Sequence, residues 1–513
     1  MNNLQKIAII TIAVLAIVYA DNPGPLWTNP DIVIDSALDY EAVSVATRRS
    51  NGEIFVAVSG KFFQDTTRYG IKVYRSLDGM NWSQYLWFSI TQGHLYDPSI
   101  AIFTANDSEF LYVAYHHCDT VANENNVRAY RRNLALSSGL FRDISVIAGV
   151  PERDPSLCTS SPAHPNGPWL FCAFESGDSI AFARSADYGL TWTDRQNISS
   201  AAPEYRFRDP SCAYGWHSTT PESMSVGVAW QRRNGDGTLR QICFRKNTLN
   251  GMPGRWRSIN YFSMQTNCQD NFPCLQMTHG GHPSALITFV RKDTLGIDNA
   301  DLWGFVSTNG GNTWGDAQNF FNSSSAGNIP HNLAVDDNLG YYHLVFRDQG
   351  FDMVYAKARY DSLSSTPWPY FYWFSSDSTG SDWDFPAIGQ RNGEPYVCWS
   401  GAVGTFYKLK FDAQWLQTGI KENQSARVPS PITITSNPVR DKFRVNYQVK
   451  NQGRVRIELY DISGRLVAGL FESDMPAGQH GIKVETKALS AGIYFVIVDT
   501  PDGRFSERVV VVR

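Results

Sequence analysis

Three Asp-Pro-Ser triplets, Asp97-Pro98-Ser99, Asp154-Pro155-Ser156 and Asp209-Pro210-Ser211, place a carboxylate at the same point of a recurring unit. Looser copies follow at Phe272-Pro273-Cys274, Ile329-Pro330-His331 and Phe385-Pro386-Ala387, and a copy without proline stands at Tyr40-Glu41-Ala42. Three carboxylates around one opening can do general acid and base work on a glycoside, or hold a cation. They can also accept hydrogen bonds from a neighbouring unit, the structural role that recurrence in register favours. A second point of the unit, just after an aromatic residue that ends an apolar run, carries Ser59, His116, Glu175, Gln231, Val290, Arg347 and Ser400. The next residue is Gly60, His117, Ser176, Arg232, Arg291, Asp348 or Gly401. A position that is structurally equivalent yet chemically different in each copy is where a ligand is read. Arg232 (or Arg233), Arg291, Arg347 and His116 are therefore the expected ligand-binding residues. Glu175, Asp97, Asp154 and Asp209 are the candidate acids and bases. The alternative for the arginines is solvated loop charge.

The elements that would position these residues follow from the period. From Glu41 to Pro386 is 345 residues in six steps of 57, 57, 55, 63, 57 and 56. Units of that size, each too small to bury its own apolar face, imply stacked supersecondary structures. Each unit holds short runs rich in Val, Ile, Phe and Tyr, such as Leu111-Tyr112-Val113-Ala114-Tyr115 and Ser179-Ile180-Ala181-Phe182-Ala183-Arg184. Gly, Asn and Asp separate the runs, so they read as strands, and four strands make one propeller blade. The last unit, from about Phe385 to Trp415, has room for three strands only. Its fourth is expected from the stretch Leu26-Trp27-Thr28-Asn29-Pro30-Asp31-Ile32-Val33, which looks like the outer-strand stretch beginning at Thr191-Trp192. That pairing would close the ring and leave no edge. The expected fold is all-β: a propeller, with seven blades preferred over six, and a small sandwich after it.

The turn before the fourth strand carries a family resemblance. Ser185-Ala186-Asp187-Tyr188-Gly189-Leu190-Thr191-Trp192 has the full form of the Asp box, and resembles the repeat of sialidases and other glycosidase-like propellers. Ser307-Thr308-Asn309-Gly310-Gly311-Asn312-Thr313-Trp314 is similar with Asn for Asp, and Ser76-Leu77-Asp78-Gly79-Met80-Asn81-Trp82 is one residue shorter. Ser76, Asp78, Trp82, Ser185, Asp187, Gly189, Trp192, Ser307, Asn309, Gly311 and Trp314 are expected to build hairpin tips, away from the active face. The resemblance implies six blades, three arginines on a substrate carboxylate, a Tyr nucleophile paired with Glu, and an Asp acid/base. Tyr355 and Tyr407 are the loose candidates for that Tyr. The Arg-Ile-Pro stretch of sialidases is missing, so exo-sialidase activity is not expected.

Both ends are informative. Residues 1–20 read as a signal peptide, with Lys6, the apolar run Ile7 to Val18 and a Val18-Tyr19-Ala20 site. No later segment reads as a transmembrane span. The propeller is expected over 21–416 and a linker over 417–431. Residues 432–513 alternate strictly, as in Lys442-Phe443-Arg444-Val445-Asn446-Tyr447, and read as an Ig-like antiparallel sandwich. Asn437-Pro438, Leu459-Tyr460-Asp461-Ile462-Ser463-Gly464-Arg465, Leu489-Ser490-Ala491-Gly492-Ile493-Tyr494 and the terminal Arg508 to Arg513 resemble the C-terminal sorting domain of the type IX secretion system. The resemblance implies an export address, and the outer-membrane secretion machinery as a partner.

Forty-five basic and 49 acidic residues give a net charge of −4, so no footprint for nucleic acid is expected. No zinc-site spacing appears among the eight cysteines, no cofactor is expected, and a structural cation is conceivable without being indicated. Cys158 with Cys172, and Cys268 with Cys274, are the expected disulfides of an exported chain. His279-Gly280-Gly281-His282 reads as a turn rather than a metal site. Two functions remain open: an exported propeller that binds glycan or protein through its loop face, which is preferred, and a glycoside hydrolase or lyase. A close pair of carboxyls with raised pKa separates them, because only the enzyme needs it.

Overall fold

The computed structural model describes residues 31–414 and 432–512, apart from 106–107, 137, 161–168, 200–202, 217–223, 263–267, 294–299, 322–329, 348–352, 361–362, 364–367, 369–370, 376–385, 404–405, 436–438, 462–464 and 488. The signal peptide, Leu26 to Pro30, Asp348 and the linker lie outside the described residues. The chain divides into two compact units, 1–419 and 420–513.

The first unit holds seven four-stranded antiparallel sheets. Blades 1 to 6 occupy residues 39–88, 93–145, 152–197, 205–261, 268–321 and 331–375, each running from an innermost to an outermost strand in chain order. Blade 7 takes three strands from residues 387–413, and its outer strand is Ile32–Ala37 from the start of the described chain. Val33 lies opposite Lys410, and Ala37 opposite Tyr407. The innermost strands touch in cyclic order, blade 7 returning to blade 1, so the ring is closed.

Between blades the chain buries alternating faces of consecutive sheets. Phe171, Phe182, Tyr214, Val226 and Trp230 form one such layer between blades 3 and 4. Tyr112, Leu170, Cys172 and Phe174 form the preceding layer, between blades 2 and 3. At the centre a serine ladder ties the blades together. The N–H groups of Ile100, Leu157, Cys212 and Leu275 donate to the hydroxyls of Ser44, Ser99, Ser156 and Ser211 on the preceding blade, at 2.9 to 3.1 Å. The backbone N–H groups of the next blade thus go to the Ser of each triplet, while the Asp carboxyls are left to meet one another.

The Asp-box turns close as their residue types require. Ser185 Oγ accepts the Gly189 N–H at 2.8 Å, and Asp187 Oδ1 accepts those of Leu190 and Thr191. Ser76, Asp78, Ser307, Asn309 and Gly311 repeat the arrangement. Each tryptophan packs on the preceding blade: Trp82 on Phe411, Trp192 on Tyr112, Trp314 on Phe244. Blade 4 carries a fourth version without the motif: Asn247 Oδ1 accepts the N–H groups of Leu249 and Gly251, and Trp256 packs on Phe182 of blade 3.

Both expected cysteine pairs are corrected. Leu157, not Cys158, lies opposite Cys172, and side chains alternate along a strand, so the two thiols face different inter-blade layers. Cys268 and Cys274 share the single strand Cys268–Met277, where six residues of extended chain span roughly 20 Å.

The second unit packs a three-stranded sheet and a four-stranded sheet over one core that includes Phe443, Val445, Tyr447, Ile457, Leu459, Val496 and Val498. No helix among the described residues is long and apolar enough to cross a membrane.

Candidate active site

The triplets form bulges. In blades 2 to 5 the innermost strand skips a pair at Asp97-Pro98, Asp154-Pro155, Asp209-Pro210 and Phe272-Pro273, because proline cannot donate to the ladder. Asp97, Asp154, Asp209 and Phe272 adopt φ of 49°, 51°, 53° and 51°. This left-handed conformation is uncommon for a residue with a Cβ, and doubly so ahead of proline. It turns the three aspartates out of the strand to meet one another where the innermost strands converge. Blade 1 bulges at Glu41, between the pairs Tyr40–Gly60 and Ala42–Ser59.

The resulting cluster is crowded with negative charge. Asp97 and Asp154 are hydrogen-bonded carboxyl to carboxyl, and Asp154 is bonded in turn to Glu175. A bond between two carboxyls requires a proton on one of them. Desolvation, then the Asp97 charge, pushes Asp154 up to about 8. Desolvation first and Glu175 second push Asp209 up to about 6. Glu175, raised to about 7 by burial and by Asp154, is the fixed member: its side chain is 1% exposed. Arg153 Nε donates to it at 2.8 Å, and the Asp209 N–H at 3.0 Å. Glu41 keeps open surface and is still shifted upward, by partial desolvation, Asp39 and Asp154.

A cavity of about 240 Å³ opens onto this cluster between blades 3 and 4. Arg153, Asp154, Glu175, Arg208, Asp209 and Arg233 line most of it. Arg208 is committed to Asp178 at 2.6 Å and to the Gly177 carbonyl at 3.0 Å. Arg233 reaches Asp209 and Glu175 only through space, and its pKa is lowered by desolvation and by the nearby Arg208. Among the described residues, no three His, Cys, Asp or Glu side chains are placed to hold one metal ion.

The acids sought in the sequence are thus gathered at one place, and the arginines are not. Arg232 is sandwiched between the rings of Tyr205 and Tyr261, at 4.4 and 4.6 Å. Arg291 is buried on Asp270, bidentate at 2.7 and 2.9 Å, beneath the Trp303 ring. Arg347 is buried in blade 6, and none of the three lines the cavity. His116 stands beside the carboxyl cluster: Nε2 bonds Asn125 at 3.0 Å, and Nδ1 is 3.9 Å from Asp97. Tyr355 is 1% exposed, its hydroxyl on His343 Nδ1 at 2.7 Å, so a substrate does not reach it. Tyr407 belongs to the closure seam opposite Ala37. His279 bonds Asp337 at 2.7 Å, tying blade 5 to blade 6. Arg153 and Arg208 were missed, although each directly precedes a triplet aspartate.

Residues 435–512 match the model of the secretion system C-terminal sorting domain. No curated protein matches the chain. Among solved structures, a polysaccharide lyase, an ulvan lyase, aligns with a TM-score of 0.52 at 10% identity, over 75% of this chain and 94% of its own. An α-L-arabinanase of Penicillium chrysogenum aligns at 0.46 and 12% identity, over 66% and 99%. A Trypanosoma rangeli sialidase aligns at 0.40 and 9%, over 96% and 90%. The chain is a β-propeller followed by a type IX secretion sorting domain, addressed for secretion and the cell surface.

Proposed function

We propose that the exported propeller is a glycan-active enzyme that works by acid–base chemistry at the cavity between blades 3 and 4. The hydrogen-bonded Asp97–Asp154 pair supports this reading above all, because a recognition surface has no use for a carboxyl held protonated near neutral pH. Asp154 is the general acid, placed to give its proton to a leaving glycosidic oxygen. Asp209, on the same cavity with the lower pKa, is the base that takes a proton from water in hydrolysis, or from a sugar carbon in elimination. Glu175, locked by Arg153 and bonded to Asp154, holds that carboxyl in place and is a positioning residue; after turnover Asp209 gives its proton to water and Asp154 takes one from water. Arg233 supplies a cation beside the bound sugar. The fold shared with an ulvan lyase makes polysaccharides the first substrates to try.

The second reading is a propeller that binds glycan or surface protein without turnover. Its support is the modest cavity, large enough for about one sugar ring. Full-length protein is to be assayed on chromogenic glycosides, a sialoside included, and on acidic polysaccharides, beside Asp154→Asn and Asp209→Asn variants. The enzyme reading expects turnover that falls at least 100-fold in either variant, with glycan-array binding kept. Binding without turnover on any substrate would leave the recognition reading in place.

A further inference from the structure

We propose that Cys158 and Cys212 form a disulfide that staples blade 3 to blade 4. The two thiols lie on neighbouring innermost strands, Glu152–Thr159 and Tyr205–Trp216, with their sulfurs 3.0 Å apart. Bond formation brings the sulfurs about 1 Å closer, within the reach of small side-chain rotations. The strands are already registered at this point, because the Cys212 N–H donates at 2.9 Å to Ser156 Oγ, two residues before Cys158. Both side chains belong to the same inter-blade layer, with Phe171, Tyr214 and Trp230.

The chemistry suits the address. A chain carrying a secretion sorting domain leaves the reducing cytosol, and structural disulfides persist in such oxidising settings. The two S–H bonds are replaced by one S–S bond. Two protons and two electrons pass to the disulfide of a thiol–disulfide oxidoreductase, which leaves as its dithiol. Exchange takes place while the chain folds, since Cys212 is 6% exposed afterwards. The staple joins the two blades whose innermost strands also carry Asp154 and Asp209, and it holds them against the mutual repulsion of those carboxyls.

Peptide mapping of the exported full-length protein decides the matter. The protein is denatured without reductant, alkylated, digested and read by mass spectrometry. The expected result is one cross-linked peptide pair joining Cys158 to Cys212, with Cys172, Cys243 and Cys398 alkylated singly. Single alkylation of Cys158 and Cys212, or a link from either to another cysteine, overturns the proposal. Stability gives an independent readout: reductant lowers the Tm of the parent protein by roughly 5 °C. The Cys158→Ala, Cys212→Ala double variant does not respond to reductant. An equal response in both also overturns the proposal, and if the double variant does not fold, the mapping of the parent stands alone.

Discussion

Asp154 gathers three costs at one residue: a left-handed backbone ahead of proline, a carboxyl against two others, and withdrawal from water. Strain of this kind persists where the surroundings enforce it, and it is common where a group must be presented in a fixed way. The linkage has a definite sign. Asp97, Asp154, Glu175 and Asp209 all have folded pKa values above those of the unfolded chain, so the native state holds the extra protons. Their contribution is complete below about pH 4 and is lost as pH rises through about 6 to 8. His343, buried beside Tyr355 and lowered to about 3, acts in the opposite sense at the acid end. Comparison with Asp154→Asn isolates the cluster. Between pH 5 and pH 8 the urea midpoint of the parent protein should fall, and that of the variant should fall less. Equal slopes would mean that Asp154 titrates normally. At this scale the sequence showed the acids, because a recurring Asp-Pro is visible without a structure. It hid the arginines. Arg232 and Arg233 are neighbours on one strand, and only the pleat decides that one enters a tyrosine sandwich and the other the cavity.

At the scale of elements, the Asp box holds blade to blade through one glycine and one tryptophan. Gly189 has φ of 77°, and a Cβ there would stand 2.2 Å from the Tyr112 ring of the preceding blade. Trp192 Nε1 donates at 2.8 Å to the hydroxyl of that same tyrosine. Gly189→Ala should therefore combine backbone strain with overpacking and cost about 2–4 kcal/mol. Gly237 has nearly the same φ, 73°, with nothing within 4 Å of the added carbon. Gly237→Ala should cost only about 1 kcal/mol, and chemical denaturation of the two variants separates clash from strain. Equal losses would show that the turn, and not its seat on Tyr112, carries the effect. These turns were legible because they are local in sequence. The Asn247 turn of blade 4 was not, since its tryptophan comes at Trp256, outside the spacing of the motif. Cysteine pairing failed for a related reason. One residue of register moves a side chain to the other face of a blade, and Leu157, not Cys158, proved to lie opposite Cys172.

At the scale of the whole propeller, the period and the three-stranded last unit foretold the blade number and a closing strand from the start of the mature chain, but that strand is Ile32–Ala37 and runs past the expected end at Val33. What they could not show is how the seam is locked. Asp35, on the strand that the start of the chain lends to blade 7, accepts a hydrogen bond from Lys72 Nζ of blade 1 at 2.9 Å and another from the Tyr74 hydroxyl. Lys72 is 3% exposed and lies against the rings of Phe62 and Trp87, so its ammonium depends on Asp35 for a counter-charge. Removing that partner strands a buried cation, and Asp35→Ala should cost about 3 kcal/mol. Lys72→Met in the same chain replaces the cation by apolar bulk of similar length and should recover most of the loss, as buried ion pairs generally do when both members go. Without residues 32–37 the strand Phe406–Ala413 becomes a bare edge, with Leu409 and Phe411 uncovered. That deletion should shift the elution of the parent protein in size-exclusion chromatography to higher assemblies, while Asp35→Ala elutes with the parent at a lower Tm. A deletion variant that elutes with the parent at an unchanged Tm would show that six complete blades and a three-stranded seventh hold the ring without the borrowed strand.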